Sequence, residues 1–186
     1  MLEWLNKWQT TTHQEYKKNN FEILDNYLNI SPINILDIGC GLAYESESFQ
    51  RKYNSNLYLL DGDFSKTIEN KRDVGYGPSK NFKFYNTIKS LHESFDKRNL
   101  SYKFLDACNL KLDENVKFDL IYSILSCGFH YPVYDYITFI KKHSDDNSRI
   151  ILDIRKNILH EQIQYVDVIK VVHNYRQYQT VEIKIK

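Results

Sequence analysis

Five short, nearly continuous apolar runs alternate with stretches of helical periodicity, and this alternation leaves few architectures open. The runs cover residues 33–38, 56–60, 101–105, 118–124 and 148–154, and are rich in Ile, Leu, Val, Tyr and Phe. Strands that stay apolar at successive positions are buried on both faces, as in a parallel sheet with helices on each side. The spacing predicts those helices over 12–29, 44–53, 87–98, 132–143 and 156–164, with Asn86 or Thr87 able to cap the third. Two last runs, 166–172 and 180–185, flank 173–177 and read as a closing hairpin. The pattern predicts an α/β chain with a doubly wound sheet and an antiparallel end.

At 186 residues the chain has the length of one domain. Residues 1–30 are expected to form N-terminal helices, and 31–186 a Rossmann-like core. Apolar residues make up 42% and charged residues 26%, the balance of a globular chain. A formal net charge of +1 gives no electrostatic case for a nucleic-acid binder that works by neutralising phosphates. The most apolar stretch, 120–129, is about half of what a membrane span needs. No basic segment leads into an apolar one at the N-terminus, so no secretory signal is read. The three cysteines, Cys40, Cys108 and Cys127, form no CxxC pair, and a reducing, cytoplasmic setting is expected.

The most informative stretch is Ile35-Leu36-Asp37-Ile38-Gly39-Cys40-Gly41-Leu42-Ala43, between the first strand and the next helix. Glycines there let the backbone turn sharply and approach a ligand where a side chain would collide. A G-x-G loop alone is a weak signal, shared by many nucleotide-binding folds and by plain strand-to-helix turns. The acids that end the next two strands strengthen it. Asp61 follows Leu57-Tyr58-Leu59-Leu60, where a carboxylate can accept from both hydroxyls of a ribose. Asp63, two residues on, competes for that role, and either acid could instead cap the following segment. Asp106, in Phe104-Leu105-Asp106-Ala107, can accept from an adenine amino group while the next N–H donates to the ring. Phe118-Asp119-Leu120-Ile121-Tyr122-Ser123 then opens the fourth strand.

In this order the motifs resemble those of the class I S-adenosylmethionine-dependent methyltransferases, over roughly residues 12–186. The resemblance implies a three-layer αβα sandwich with a seven-stranded sheet of order 3-2-1-4-5-7-6 and an antiparallel last strand. It implies S-adenosylmethionine as cofactor, held by Asp37, Gly39, Cys40, Gly41, Asp61, Gly62, Asp106, Ala107 and Ser123. Asp37 and the glycines would face the methionine part, Asp61 the ribose, Asp106 and Ala107 the adenine, and Ser123 the sulfonium. Ala43 stands where many members carry a third glycine.

Acceptor-side groups in this family follow the fourth strand, here Ser126-Cys127-Gly128-Phe129-His130-Tyr131-Pro132. His130 titrates near neutrality as a free side chain, so it is the candidate general base, with capping or cofactor contact as the alternatives. Tyr131 either lines the acceptor pocket or packs against a helix. Trp8 and Tyr16 are candidates for a lid, or else bury the first helix against the sheet. The connection 64–85 is long enough to shape a substrate site. Asp153 and Arg155 either reach the acceptor or form a surface ion pair. The cysteines lack metal-site spacing, so no metal is expected, and they read as small buried hydrophobes.

The reading is a methyltransferase acting on an unknown acceptor. No Asp/Asn-Pro-Pro-Tyr/Trp motif and no Pro-Cys nucleophile follows the fourth strand, and the net charge is near zero. These points favour a small-molecule or sugar acceptor over nucleic acid. Two alternatives stay open: a non-catalytic member of the fold that binds cofactor or partner, and a nicotinamide-dependent oxidoreductase.

Overall fold

The computed structural model describes residues 9–63 and 84–186. Its first element is helix α1 (Thr11–Leu28), started by Thr10, whose hydroxyl accepts the His13 N–H, and ended by Asn29 in the left-handed region. The core then alternates β1 (Asn34–Ile38), α2 (Tyr44–Tyr53), β2 (Asn56–Asp61), α3 (Ile88–Lys97), β3 (Tyr102–Asp106), β4 (Leu120–Ser123), α4 (Ile137–His143) and β5 (Arg149–Arg155). A one-turn helix α5 (Leu159–Gln162) and the hairpin β6 (Val166–Asn174)–β7 (Tyr178–Ile185) complete it. The seven strands lie in the order β3-β2-β1-β4-β5-β7-β6. The first five run parallel, and β7 is antiparallel to both β5 and β6.

The unbroken apolar runs have a direct physical meaning here. Leu36, Ile38, Leu60, Ile121 and Leu152 pack in one core cluster, whereas Ile35, Leu57, Leu59, Leu120 and Ile151 pack in another. Successive side chains point to opposite faces of the sheet, so a strand serving two cores has no polar face. Each fully buried Leu or Ile contributes about 1.5–3 kcal/mol of transfer free energy. α1 closes the second cluster with Leu24 and Leu28, four residues apart on one helix face.

Three stretches differ from the expectation. Residues 132–143 are not one helix: Pro132 is extended (φ −66°, ψ 148°), a 3₁₀ turn covers Val133–Asp135, and α4 starts only at Ile137. The 156–164 helix reduces to a 3₁₀ turn (Lys156–Ile158) and the single turn of α5, where the Gln162 side chain accepts the Val133 N–H at 2.7 Å. The hairpin strands run further toward the turn than expected, because Asn174 pairs with Gln179 and the Tyr175 and Tyr178 rings stack at 4.3 Å. Thr87, not Asn86, caps α3, its hydroxyl accepting the Ser90 N–H at 3.1 Å. Trp4, Trp8 and residues 64–83 lie outside the described residues.

Candidate functional site

The strand order reverses between β1 and β4, which leaves a crevice at the carboxyl ends of the parallel strands. A cavity of about 260 Å³ opens there. The β1–α2 loop lines it with Gly39, Cys40, Gly41, Leu42, Ala43 and Tyr44, and β2 supplies Asp61. Phe84, Tyr85 and Asn86, just before α3, form a second wall, and Ile124, Leu125, Ser126, His130 and Tyr131, after β4, a third. His13 and Lys17 of α1 complete the lining.

Gly39 (φ 74°) and Gly41 (φ 50°) both adopt left-handed backbone. At Gly39 a Cβ would also fall 1.9 Å from Ser126 Oγ, so glycine is required twice over. Ala43 accepts the same conformation (φ 54°) at the position where a third glycine is common. The loop is pinned to β2: the Gly39 and Cys40 N–H groups donate to Leu60 O at 2.7 and 3.0 Å, and the Gly41 N–H donates to Asp61 Oδ2 at 2.8 Å. The Gly62 N–H donates to the other carboxylate oxygen at 2.7 Å. Burial pushes the Asp61 pKa up to about 6 against these two hydrogen bonds. Each oxygen keeps a further lone pair for a ligand hydroxyl. Arg98 fastens the loop's exit by bonding Leu42 O and Glu47 while its guanidinium lies 4.5 Å from the Tyr44 ring centre.

Asp37 stands behind the cavity wall, 3% exposed, where Oδ2 accepts from Ser46 Oγ at 2.7 Å and Tyr122 Oη at 2.9 Å. Burial, then the Glu45 charge, raises its pKa to about 7. Glu45 pairs with Lys17 at 2.8 Å and accepts from Asn20 Nδ2 at 3.2 Å. Burial pulls the Lys17 pKa down, but the Glu45 charge and hydrogen bond outweigh it and the net shift is upward. A charged ammonium is therefore held at the edge of the cavity.

Several residues expected to meet the cofactor also have partners within the protein. The Ser123 hydroxyl donates to Ile38 O at 2.7 Å and accepts the Cys127 N–H at 2.8 Å, a strand-to-loop clamp outside the cavity lining. Asp106 Oδ1 accepts the Cys108 N–H at 2.9 Å, and the Ala107 N–H, expected to reach the adenine ring, donates to Asp61 O at 2.9 Å. Neither residue lines the cavity. Asp63 Oδ2 accepts the Ile88 N–H at 3.3 Å and so serves the start of α3.

On the acceptor side, His130 lines the cavity between the rings of Phe129 (4.9 Å) and Tyr85 (6.0 Å). Burial, then the Arg155 charge, lowers its pKa to about 4, well away from the near-neutral value of the free side chain. Tyr131 both lines the cavity and packs, stacked on Phe84 at 5.7 Å. Asp153 and Arg155 form no surface ion pair. Asp153 is 1% exposed, accepting from Thr180 Oγ1 at 2.7 Å and the Leu125 N–H at 3.1 Å, and burial raises its pKa to about 7. The Arg155 guanidinium lies 4.0 Å from the Phe129 ring centre. Tyr16 bonds the Tyr178 hydroxyl at 3.0 Å, joining α1 to the hairpin. Cys40 and Cys127 are buried, but Cys108 is exposed, contrary to its reading as a core residue. Among the described residues no cluster of His, Cys, Asp or Glu could hold a metal ion, and no helix is long and apolar enough to cross a membrane.

Sequence reasoning missed Lys17 and Asn86 as cavity residues, whereas Phe84 and Tyr85 fall at the end of the 64–85 connection expected to shape a substrate site. No motif marks Lys17 or Asn86, because each reaches the cavity from an element whose placement is a tertiary outcome.

The fold has clear structural neighbours. The chain aligns with the PH0226 protein from Pyrococcus horikoshii OT3 at a TM-score of 0.65 and 12% identity, covering 96% of this chain and 93% of that one. It aligns with the ribosomal protein L11 methylase from Lactobacillus delbrueckii subsp. bulgaricus at 0.61 and 15%, covering 94% and 80%. A third neighbour is the plantazolicin methyltransferase BpumL in complex with a triazolic desmethylPZN analog and SAH, at 0.52 and 15%, covering 86% of this chain and 54% of that one. No protein-family model and no curated protein matches the sequence. The chain has the class I methyltransferase fold.

Proposed function

We propose that this chain is an S-adenosylmethionine-dependent methyltransferase, a single domain whose acceptor is a small molecule or sugar. The observation that carries the reading is the joint position of Asp61 and the Gly39–Gly41 loop on one cavity wall, at the switch between β1 and β4. Structural neighbours described as methylases, one holding SAH, support it. So does a mostly apolar cavity, with the rings of Tyr44, Phe84, Tyr85 and Tyr131 and a few fixed polar groups among its lining, which suits a small ligand better than a polymer.

The residues fit the cofactor at its ribose and methionine ends. Asp61 would accept from the ribose hydroxyls, the left-handed glycines leave room for the chain to pass, and Lys17 places positive charge where a carboxylate would lie. When bound, the cofactor supplies an electrophilic methyl group on a sulfonium. His130, neutral at pH 7, accepts a hydrogen bond from the acceptor's nucleophile and orients it, while Tyr85, Phe84 and Tyr131 keep water away.

Thermal denaturation tests the reading. S-adenosylmethionine and S-adenosylhomocysteine should raise the Tm by about 5–10 °C at a hundredfold excess over Kd. NAD and NADP should leave it unchanged. A shift with NAD and none with S-adenosylhomocysteine overturns it.

A further inference from the structure

We propose that the chain forms a two-fold dimer along strand β6, with Asp167 of each copy set against Lys170 of the other. β6 lies beyond β4, β5 and β7, away from the crevice, so the dimer stands or falls independently of the methyltransferase reading.

Seven large apolar residues are exposed among the described residues, and six of them gather at this end of the sheet. Val168, Ile169 and Val171 are on β6, Ile163 and Tyr165 stand just before it, and the Tyr134 ring lies 5.8 Å from that of Tyr165. Single exposed apolar residues are ordinary, but such a group marks an interaction surface. The cause is structural. One face of the hairpin carries α1, where Tyr27 bonds Glu182 and its ring centre lies 5.1 Å from the Lys170 ammonium. On the other face the β5–β6 crossover provides only a 3₁₀ turn and the single turn of α5, and β6 is the last strand of the sheet.

The pattern of the strand selects a second copy as the occupant. From Val166 to Val171 the order is apolar, acid, apolar, apolar, base, apolar, and it reads the same backwards with the charges exchanged. In a regular strand, residues three apart point to opposite faces. A register shift removes that mismatch: Val168 pairs with Ile183, and Lys170 with the adjacent Glu182. Val166, Val168 and Val171 therefore share the face of Ile185, Ile183 and Val181, while Asp167 and Lys170 share the face of Lys184 and Glu182. A two-fold axis through the bulge, normal to the sheet, sets Val166 against Val171 of the second copy and Asp167 against its Lys170. Across the four strands the charged row then reads Lys184, Asp167, Lys170, Glu182, alternating in sign. The bulge interrupts a backbone ladder, so side chains carry the contact. The Asp167 side chain is 69% exposed, with Lys186 of its own chain at 3.5 Å, and its carboxylate keeps acceptor positions for a second cation.

Sedimentation velocity over a concentration series tests this on the wild-type chain, Asp167→Lys, Lys170→Asp, the double exchange and Ile169→Asp. The wild type should pass from monomer to dimer with no larger species. Each single reversal sets like charges together at both symmetric contacts and should weaken dimerisation by at least about tenfold. Mixed in equal amounts, the two single variants should form a heterodimer, because every contact is again Lys against Asp. The double exchange should restore the homodimer. Ile169→Asp changes a side chain 60% exposed, so it should fold as the wild type does by circular dichroism yet stay monomeric. If a reversal fails to fold, Ile169→Asp and the double exchange still decide. A wild type that remains monomeric up to about 1 mM overturns the proposal. So does a dimer that Ile169→Asp leaves intact, or the growth of open-ended polymers.

Discussion

Asp61 and Gly41 are joined by a hydrogen bond of 2.8 Å from the glycine N–H to Oδ2. The acid at the tip of β2 therefore holds the glycine loop that follows β1, and the ligand-facing carboxylate and the backbone cradle form one unit. A change at Asp61 acts twice, removing a ligand acceptor and releasing the loop.

The two acids of Asp61-Gly62-Asp63 should separate cleanly. Asp61→Ala should weaken S-adenosylhomocysteine binding by roughly 2–4 kcal/mol, the worth of one or two charge-assisted hydrogen bonds. Asp63→Ala should leave affinity near the wild-type value and lower the Tm slightly, since its carboxylate serves the Ile88 N–H. A larger affinity loss at Asp63 would move the ribose from Asp61 to Asp63.

Gly39→Ala should destabilise by more than the roughly 1–2 kcal/mol of left-handed strain, because its Cβ also meets Ser126 Oγ at 1.9 Å. Adding Ser126→Gly should restore the steric part and leave the strain. Urea denaturation of the single and double variants checks the partial recovery; an additive loss would deny the contact.

How much of this was legible in sequence depended on whether backbone or side-chain partners decide the outcome. Gly39 and Gly41 were legible because left-handed backbone against a neighbouring loop excludes other residues. The sheet was legible because two-sided burial leaves no polar face to hide. Ser123, Asp106 and Ala107 occupy the expected positions in the chain, but which atom takes their hydrogen bonds is settled by the distant Ile38 and Asp61 backbones and by the local turn at Cys108. Lys17 and Asn86 reach the cavity only because α1 and the segment before α3 dock beside it. The 132–143 segment misled because its apolar spacing suits a helix, whereas Pro132 and Tyr136 break it into two pieces.

The buried carboxyl of Asp37 gives stability a pH dependence. Its folded pKa is raised to about 7, above the ordinary carboxylate range, so the native state keeps a proton that the unfolded chain releases. That contribution is complete below about pH 4 and is lost as pH rises through 7. Asp37→Asn keeps an acceptor for Ser46 and Tyr122 without the charge. Its Tm relative to wild type should therefore rise between pH 5 and pH 8, read by calorimetry at both values. A difference independent of pH would mean that Asp37 ionises normally in the fold.

His130 should titrate far below neutrality. With its pKa lowered to about 4, first by burial and then by Arg155, the ring is neutral throughout pH 6–9. The imidazole NMR signals should show no inflection in that range, and methyl transfer should show none that His130→Gln removes. Arg155→Met should move the inflection upward by removing the second cause. A wild-type inflection near 6.5 would contradict the buried placement and return His130 to the role of a near-neutral base.

The most direct measurement is a crystal structure grown with saturating S-adenosylhomocysteine. The account expects density in the cavity at the ends of β1, β2 and β4, with both ribose hydroxyls within hydrogen-bond reach of the Asp61 carboxylate and the homocysteine part along Gly39–Gly41. An empty cavity at saturating ligand, or density whose ribose lies away from Asp61, would contradict it.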